Sequence, residues 1–149
     1  NASGGNALLH FSDWILEFQP RYSKEQIKDP KATKEDVASG HWCKVVFRKT
    51  PNETTGMEVK YPIKYGRTNG KSIWVEYEVF NTLVKWGFVK RAGSWVTVDE
   101  KLVEELKSNN LEIPEKTQGE DAFTAYLEEN PKLCEFLFQK LKSTLTLAV

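Results

Sequence analysis

Residues 57–65 read Met-Glu-Val-Lys-Tyr-Pro-Ile-Lys-Tyr, so that side chains at odd and even positions fall into an apolar set and a mainly polar set. A period of two is typical of a strand that buries one face and exposes the other. Pro62 has no N–H to donate to a neighbouring strand, which predicts that this strand lies at the edge of its sheet.

Two more strands are predicted upstream of this one. Residues 41–49, His-Trp-Cys-Lys-Val-Val-Phe-Arg-Lys, place alternate apolar side chains on one face, and residues 8–18 are rich in aromatic and branched side chains. Residues 20–40 between them are polar and are expected to form a long surface excursion. The three strands together predict an antiparallel meander.

From residue 73 onward the apolar positions repeat with the period of a helix. Gly87 suits the end of the first helix, and residues 88–98 predict a hairpin. Further helices are predicted after Asp99, over residues 120–129, and from Asn130-Pro131 onward. The predicted fold class is therefore α+β, with antiparallel strands in residues 1–70 and a small α/β domain in residues 71–149.

The 149 residues include 21 basic and 21 acidic ones, but the charges are unevenly placed. Residues 44–91 carry a net charge of +6, whereas residues 92–149 carry −5. The positive middle favours an anionic partner, and the alternative is that these charges only solvate a sheet face.

No apolar run approaches the roughly 20 residues that cross a bilayer, and residues 1–5 do not resemble a secretory signal, so we expect a cytoplasmic protein without a membrane partner.

The sequence offers no recognisable metal or nucleotide motif. Cys43 and Cys134 lie in apolar stretches and are expected to be buried thiols in a reducing compartment, without the paired spacing that zinc requires. The loop Gly66-Arg67-Thr68-Asn69-Gly70-Lys71-Ser72 lacks the spacing of a phosphate-binding loop. With no catalytic constellation either, the chain by itself is not expected to act as an enzyme.

Basic and aromatic residues are interleaved on the predicted helix end and hairpin of the second half, at Lys85, Trp86, Lys90, Arg91 and Trp95. Lysine and arginine can contact phosphates while exposed rings stack on bases. The alternative is that both tryptophans are core residues and that the lysines extend past them to solvent.

Five short motifs follow one another between residue 4 and about residue 142. They are Gly4-Gly5-Asn6-Ala7-Leu8; Lys44-Val45-Val46 with Arg48-Lys49; Ile63-Lys64-Tyr65-Gly66; Lys90-Arg91-Ala92-Gly93-Ser94-Trp95; and Gln118-Gly119 with Tyr126-Leu127-Glu128-Glu129-Asn130-Pro131. In this order and approximate spacing, they resemble the C-terminal part of the bacterial or phage RecA recombinase family.

The resemblance implies that residues 1–70 are the terminal strands of a RecA-like ATPase core and that residues 71–149 are the C-terminal DNA-binding domain. Proteins of this family form filaments on single-stranded DNA, bind ATP and Mg²⁺ between neighbouring subunits, and exchange strands with duplex DNA received at the C-terminal domain. The Walker sequences of the family would lie upstream, so ATP and Mg²⁺ belong to the full-length parent and neither is expected to bind here.

The resemblance also implies roles for individual residues in the first half. Lys49 matches a family lysine that reaches the ATP of the neighbouring subunit. A second family lysine falls on Phe47 here, and Arg48 is the candidate to replace it. His10 and Phe11 fall at the subunit interface.

In the second half, Lys85, Lys90 and Arg91 are the expected DNA-binding residues, Arg91 matching a basic family position linked to duplex DNA. Another basic family position is Glu120 in this chain, and residues 99–115 look like an insertion. The alternative function is a winged-helix-like protein-interaction module that uses its acidic C-terminal helices and binds no DNA.

Overall fold

The computed structural model describes residues 10–19, 26–28, 37–51 and 54–147. The chain divides into two compact units, Asn1–Trp74 and Val75–Val149. The described residues form antiparallel sheets and four helices, which confirms the α+β prediction at the level of fold class. The division follows Trp74, whereas the sequence places the boundary after residue 70.

Unit 1 is built on one antiparallel sheet. Its strands are β1 (Ile15–Phe18), β2 (Gln26–Ile27), β3 (Gly40–Lys49) and β4 (Glu58–Lys64). The long strand β3 pairs with each of the other three, so the strands predicted from residues 8–18, 41–49 and 57–65 are neighbours in chain order. The first is shorter than expected, since His10–Trp14 lie outside the strand; residues 8 and 9 lie outside the described residues.

Part of the expected surface excursion joins this sheet. β2 lies within residues 20–40 and pairs with the beginning of β3 through Gln26↔His41 and Ile27↔Gly40. A glycine is required at this end of β3, because a Cβ on Gly40 would lie 2.2 Å from the carbonyl oxygen of Ile63. The absence of a side chain therefore allows β3 and β4 to approach at this point.

One face of the sheet is apolar and only partly covered. The register aligns Leu16 with Phe47, and Val45 with both Phe18 and Val59, so these five residues share what we term the apolar face of unit 1. Leu16, Phe18 and Val59 are 44%, 61% and 40% exposed. Such exposure of large apolar side chains on one face is typical of a surface that packs against something else.

Unit 2 alternates helices with a small sheet. Its elements are α1 (Val75–Lys85), β5 (Val89–Ala92), β6 (Trp95–Val98), α2 (Glu100–Ser108), β7 (Lys116–Gln118), α3 (Glu120–Glu129) and α4 (Pro131–Leu147). The strands form an antiparallel sheet in the order β5-β6-β7. The predicted hairpin and helices are present, while the short strand β7 was not predicted.

Each helix of unit 2 contributes an apolar stripe to one core. Phe80 of α1 and Phe123 of α3 are buried with ring centroids 5.2 Å apart. Around them are buried leucines from all four helices: Leu83, Leu102, Leu106, Leu127, Leu133, Leu137 and Leu141. Residues 99–115, expected as an insertion, supply α2 and the buried Ile113 to this core, so they are an integral part of the unit.

Local signals position the helix ends as the sequence predicts. The Asp99 carboxylate accepts a hydrogen bond from the Lys101 amide at 3.1 Å and so caps α2. Gly87 has φ +79° just after α1, a backbone conformation that glycine adopts without steric cost. Asn130 separates α3 from α4, and Pro131 opens α4 where no N–H is needed.

Candidate nucleic-acid interface

The three predicted DNA-binding cations are all exposed, but they do not share one face. Lys85 is the last residue of α1, and Lys90 and Arg91 are consecutive residues of β5. Successive side chains of a strand lie on opposite faces of the sheet. Lys90 is therefore on the outward face of the sheet, and Arg91 is on the face that packs against the helices.

Arg91 is held by groups of its own unit. Its guanidinium lies 3.1 Å from Glu120 Oε2, donates to Asn81 Oδ1 at 3.2 Å, and sits 4.8 Å from the ring centroid of Phe80. Arg91 and Glu120 are both roughly half-exposed, so water weakens their attraction, yet the opposite charge remains beside the guanidinium. The positive charge of Arg91 is therefore compensated locally.

Lys85 lies near a carboxylate on its own helix. Partial burial raises the pKa of Glu78, and the charge of Lys85 opposes that rise. The two side chains therefore interact electrostatically along α1. Of the three predicted cations, Lys90 is the one that lies on the outward face of the sheet.

The outward face of the sheet has an organisation that the sequence did not reveal. Cross-strand pairing aligns Lys90 with Thr97 and Thr97 with Lys116, and it aligns Ala92 with Trp95 and Trp95 with Gln118. We term these six residues the outer sheet face; all six are exposed. The ammonium group of Lys116 lies 4.6 Å from the ring centroid of Trp95.

Neither tryptophan of the basic and aromatic cluster is a core residue. Trp86 is 37% exposed and Trp95 is 41% exposed, which overturns the alternative that both are buried. Lys116 was missed because β7 has three residues, too few for a period of two to be recognised.

The two predicted ATP-contact residues end β3, where the register of the β1–β3 pair shifts between Phe47 and Lys49. Arg48 Nε lies 2.5 Å from Glu17 Oε2 of β1, and this contact holds the pKa of the exposed Glu17 carboxyl below its usual range. Lys49 Nζ donates to the backbone carbonyl of His10 at 3.4 Å. The structure thus brings Lys49 to His10 and pairs Arg48 with an acid.

The residues predicted at a subunit interface are exposed. His10 is on the surface, and the side chain of Phe11 is 89% exposed. A nearly fully exposed phenylalanine is compatible with the predicted contact, which remains a prediction.

The cysteines make no disulfide, and Cys134 is buried whereas Cys43 is half-buried. Cys43 faces Tyr61 across the β3–β4 pair, and their hydrogen bond, together with desolvation, raises the pKa of Tyr61 to about 12.

Within the described residues, no group of three or more histidine, cysteine or acidic side chains is placed to hold a metal ion.

Comparisons with known proteins add no family to this description. No protein-family model matches the chain, and no curated protein sequence matches it significantly. In the part of the chain that the structure describes, every helix is too short or too polar to span a membrane.

Proposed function

We propose that this chain is the C-terminal part of a RecA-like recombinase, in which residues 1–70 end the ATPase core and residues 71–149 contact duplex DNA. The parent would use ATP and Mg²⁺ in a filament to pair homologous DNA and exchange strands. The observation that carries the proposal is the set of five motifs that keep the family order across both units.

The positions of these motifs support the proposal. Ile63–Gly66 spans the end of β4 and its turn, Lys90–Trp95 covers the turn from β5 to β6, and Asn130-Pro131 joins α3 to α4. Turns and helix junctions restrict which residues fit the backbone. A family pattern is therefore expected to persist at such positions when exposed helix faces have diverged.

The apolar face of unit 1 supports the assignment of residues 1–70 to the end of a larger core. Phe18, Leu16 and Val59 are exposed to an extent that a finished core does not show. In the proposed parent, preceding segments cover this face. Lys49 then extends from the end of β3 as a cation for the phosphoryl group of an ATP bound to the neighbouring subunit.

Duplex DNA contact is proposed for the predicted cations at the end of α1 and on β5. Lys85 and Lys90 are exposed cations, and Arg91 adds a third when its contact with Glu120 opens. Few phosphate contacts without base recognition give weak binding that does not depend on sequence. Each phosphate neutralised contributes a salt slope of about −0.9 on duplex DNA.

Fluorescence anisotropy of a labelled hairpin duplex tests this contact at salt concentrations of about 20 and 150 mM. We expect binding that weakens steeply with salt and is lost on Lys90→Glu. Lys101→Glu makes the same charge change at an exposed position of α2 and should lower affinity far less. Absence of duplex binding at low salt, or equal losses in both variants, would contradict the proposed contact.

One observation favours the alternative, a protein-interaction module. A recess beside the start of α4 is lined by Asn110, Leu111, Glu112, Tyr126, Glu129, Asn130, Pro131, Lys132 and Leu133. The recess carries two carboxylates, of Glu112 and Glu129, and one ammonium group, of Lys132, so its net negative charge suits a basic protein segment. A partner bound there would be unaffected by Lys90→Glu and weakened by Glu129→Lys, which separates the two functions in a pull-down with purified candidates.

A further inference from the structure

We propose that the outer sheet face of unit 2 binds single-stranded nucleic acid, with Trp95 stacking on an unpaired base and Lys90 and Lys116 contacting the phosphates beside it. This inference goes beyond the proposed duplex contact and shares only Lys90 with it.

The strand register places the two lysines in one row across the sheet. Lys90 of β5 and Lys116 of β7 both flank Thr97 of β6, so their backbones are two strand spacings, or about 10 Å, apart. The next row contains Ala92, Trp95 and Gln118, with the tryptophan on the central strand. An aromatic ring is thus flanked by a pair of cations that can hold a sugar-phosphate backbone across the strands.

The charge of this face is of one sign. Its six residues include two lysines and no carboxylate, and neither lysine forms an ion pair within the described part of the chain. Glu115 is the nearest acid in sequence, and its Oε1 lies 3.5 Å from Lys107 Nζ and pairs with that lysine rather than with Lys116. The Arg91–Glu120 pair belongs to the opposite face of the sheet, so it does not neutralise this one.

The exposed ring makes an unpaired base the best-fitting ligand. Bases in a duplex are stacked on one another, whereas a single strand offers the face of each base to an aromatic side chain. The Lys116 ammonium lies 4.6 Å from the centroid of the Trp95 ring, so a base that stacks on that ring face displaces it. The displaced ammonium is then within reach of the phosphate beside the stacked base. Thr97 and Gln118 add neutral hydrogen-bonding groups beside the ring.

Anisotropy with the full 149-residue chain and a labelled oligothymidylate of about 12 nucleotides tests the stacking. Trp95→Ala should weaken binding roughly 5- to 100-fold, and Trp95→Phe should restore most of it because phenylalanine also stacks. Phe138→Ala is the matched control, since Phe138 is 41% exposed, as Trp95 is, but lies on α4 and not on the sheet.

The phosphate contacts have a separate readout. Lys116→Gln should reduce the magnitude of the salt slope by about 0.7, the value for one phosphate of a single strand. Lys101→Gln makes the same charge change on α2 and should leave the slope nearly unchanged. Circular dichroism and thermal unfolding of each variant identify losses that come from misfolding.

The outcomes separate this inference from the duplex contact. Single-strand binding that depends on Trp95 supports it, even if the hairpin duplex does not bind. Duplex binding without single-strand binding, or equal effects of Trp95→Ala and Phe138→Ala, would overturn it and leave the duplex contact standing. An oligouridylate of the same length tells whether RNA or DNA is preferred, and either preference supports the inference.

Discussion

Arg91 illustrates how one neighbouring carboxylate changes what a cation can offer to a ligand. The sequence predicts Arg91 as a DNA contact, yet its guanidinium lies between Glu120, Asn81 and the Phe80 ring. To reach a phosphate, Arg91 must leave these groups, and Glu120 would then repel the incoming anion. Glu120 is therefore expected to weaken the binding of nucleic acid to this region.

Removing that carboxylate should strengthen duplex binding. Glu120→Gln is expected to make the salt slope more negative by about 0.9, which corresponds to one additional phosphate contact. Asp121→Asn is the matched control, because it removes the same charge from the same first turn of α3. Equal gains in anisotropy titrations of the two variants would show that only net charge matters and that Arg91 is not released.

Glu78 makes the stability of unit 2 depend on pH. Burial raises its pKa above the usual 4.5, so the stability that the protonated carboxyl contributes is present at low pH and is lost as the pH rises through the folded-state value. Glu78→Gln should therefore raise the melting temperature slightly at neutral pH and leave it nearly unchanged below pH 4.5. Thermal unfolding at the two pH values checks this, and Glu104→Gln, an exposed change on α2, should show no such difference.

Most of the elements that the sequence predicted have enough residues to display a period, and the four-residue strands β5 and β6 were predicted as a hairpin from the turn between them. β3 and β4 have ten and seven residues, and their alternation was readable, as were the apolar stripes of the helices. β2 and β7 have two and three residues and exist because longer strands pair with them. Lys90 could therefore be placed on a hairpin from sequence, but its alignment with Lys116 depends on tertiary pairing that no local pattern encodes.

The β3–β4 pairing should be sensitive to any side chain at its first residue. An alanine Cβ at Gly40 would meet the Ile63 carbonyl oxygen at 2.2 Å, so one strand must shift. We expect Gly40→Ala to destabilise unit 1 by about 1–3 kcal/mol, the usual cost of overpacking, and to speed hydrogen exchange along β3 and β4. Gly70→Ala, whose added methyl meets nothing within 4 Å, should cost only its left-handed backbone strain, about 1 kcal/mol.

The two units differ in how completely they bury their apolar residues. Unit 2 encloses a core to which all four helices contribute, whereas unit 1 leaves one sheet face partly exposed. This contrast agrees with the proposed function, in which further segments of an ATPase core pack on the exposed sheet face. The apolar face of unit 1 is accordingly where the chain should attract apolar ligands.

A dye that fluoresces on apolar surfaces, such as anilinonaphthalene sulfonate, should therefore bind the native chain. Phe18→Lys places a charge at the most exposed residue of the apolar face and should remove much of the signal. Phe138→Lys is the comparison in unit 2, where Phe138 is 41% exposed on α4, and it should have little effect. Dye binding that is insensitive to Phe18 would argue against an uncovered sheet face.

The central position of β3 also determines the order in which unit 1 can assemble. All three strand pairings of its sheet include β3, with β1 and β2 arriving from upstream and β4 from downstream. Closing the short loop to β4 costs less chain entropy than closing the longer segment to β1. Refolding should therefore begin with the β3–β4 hairpin, and pulse-labelling exchange should protect the amides of that hairpin before β1 becomes protected.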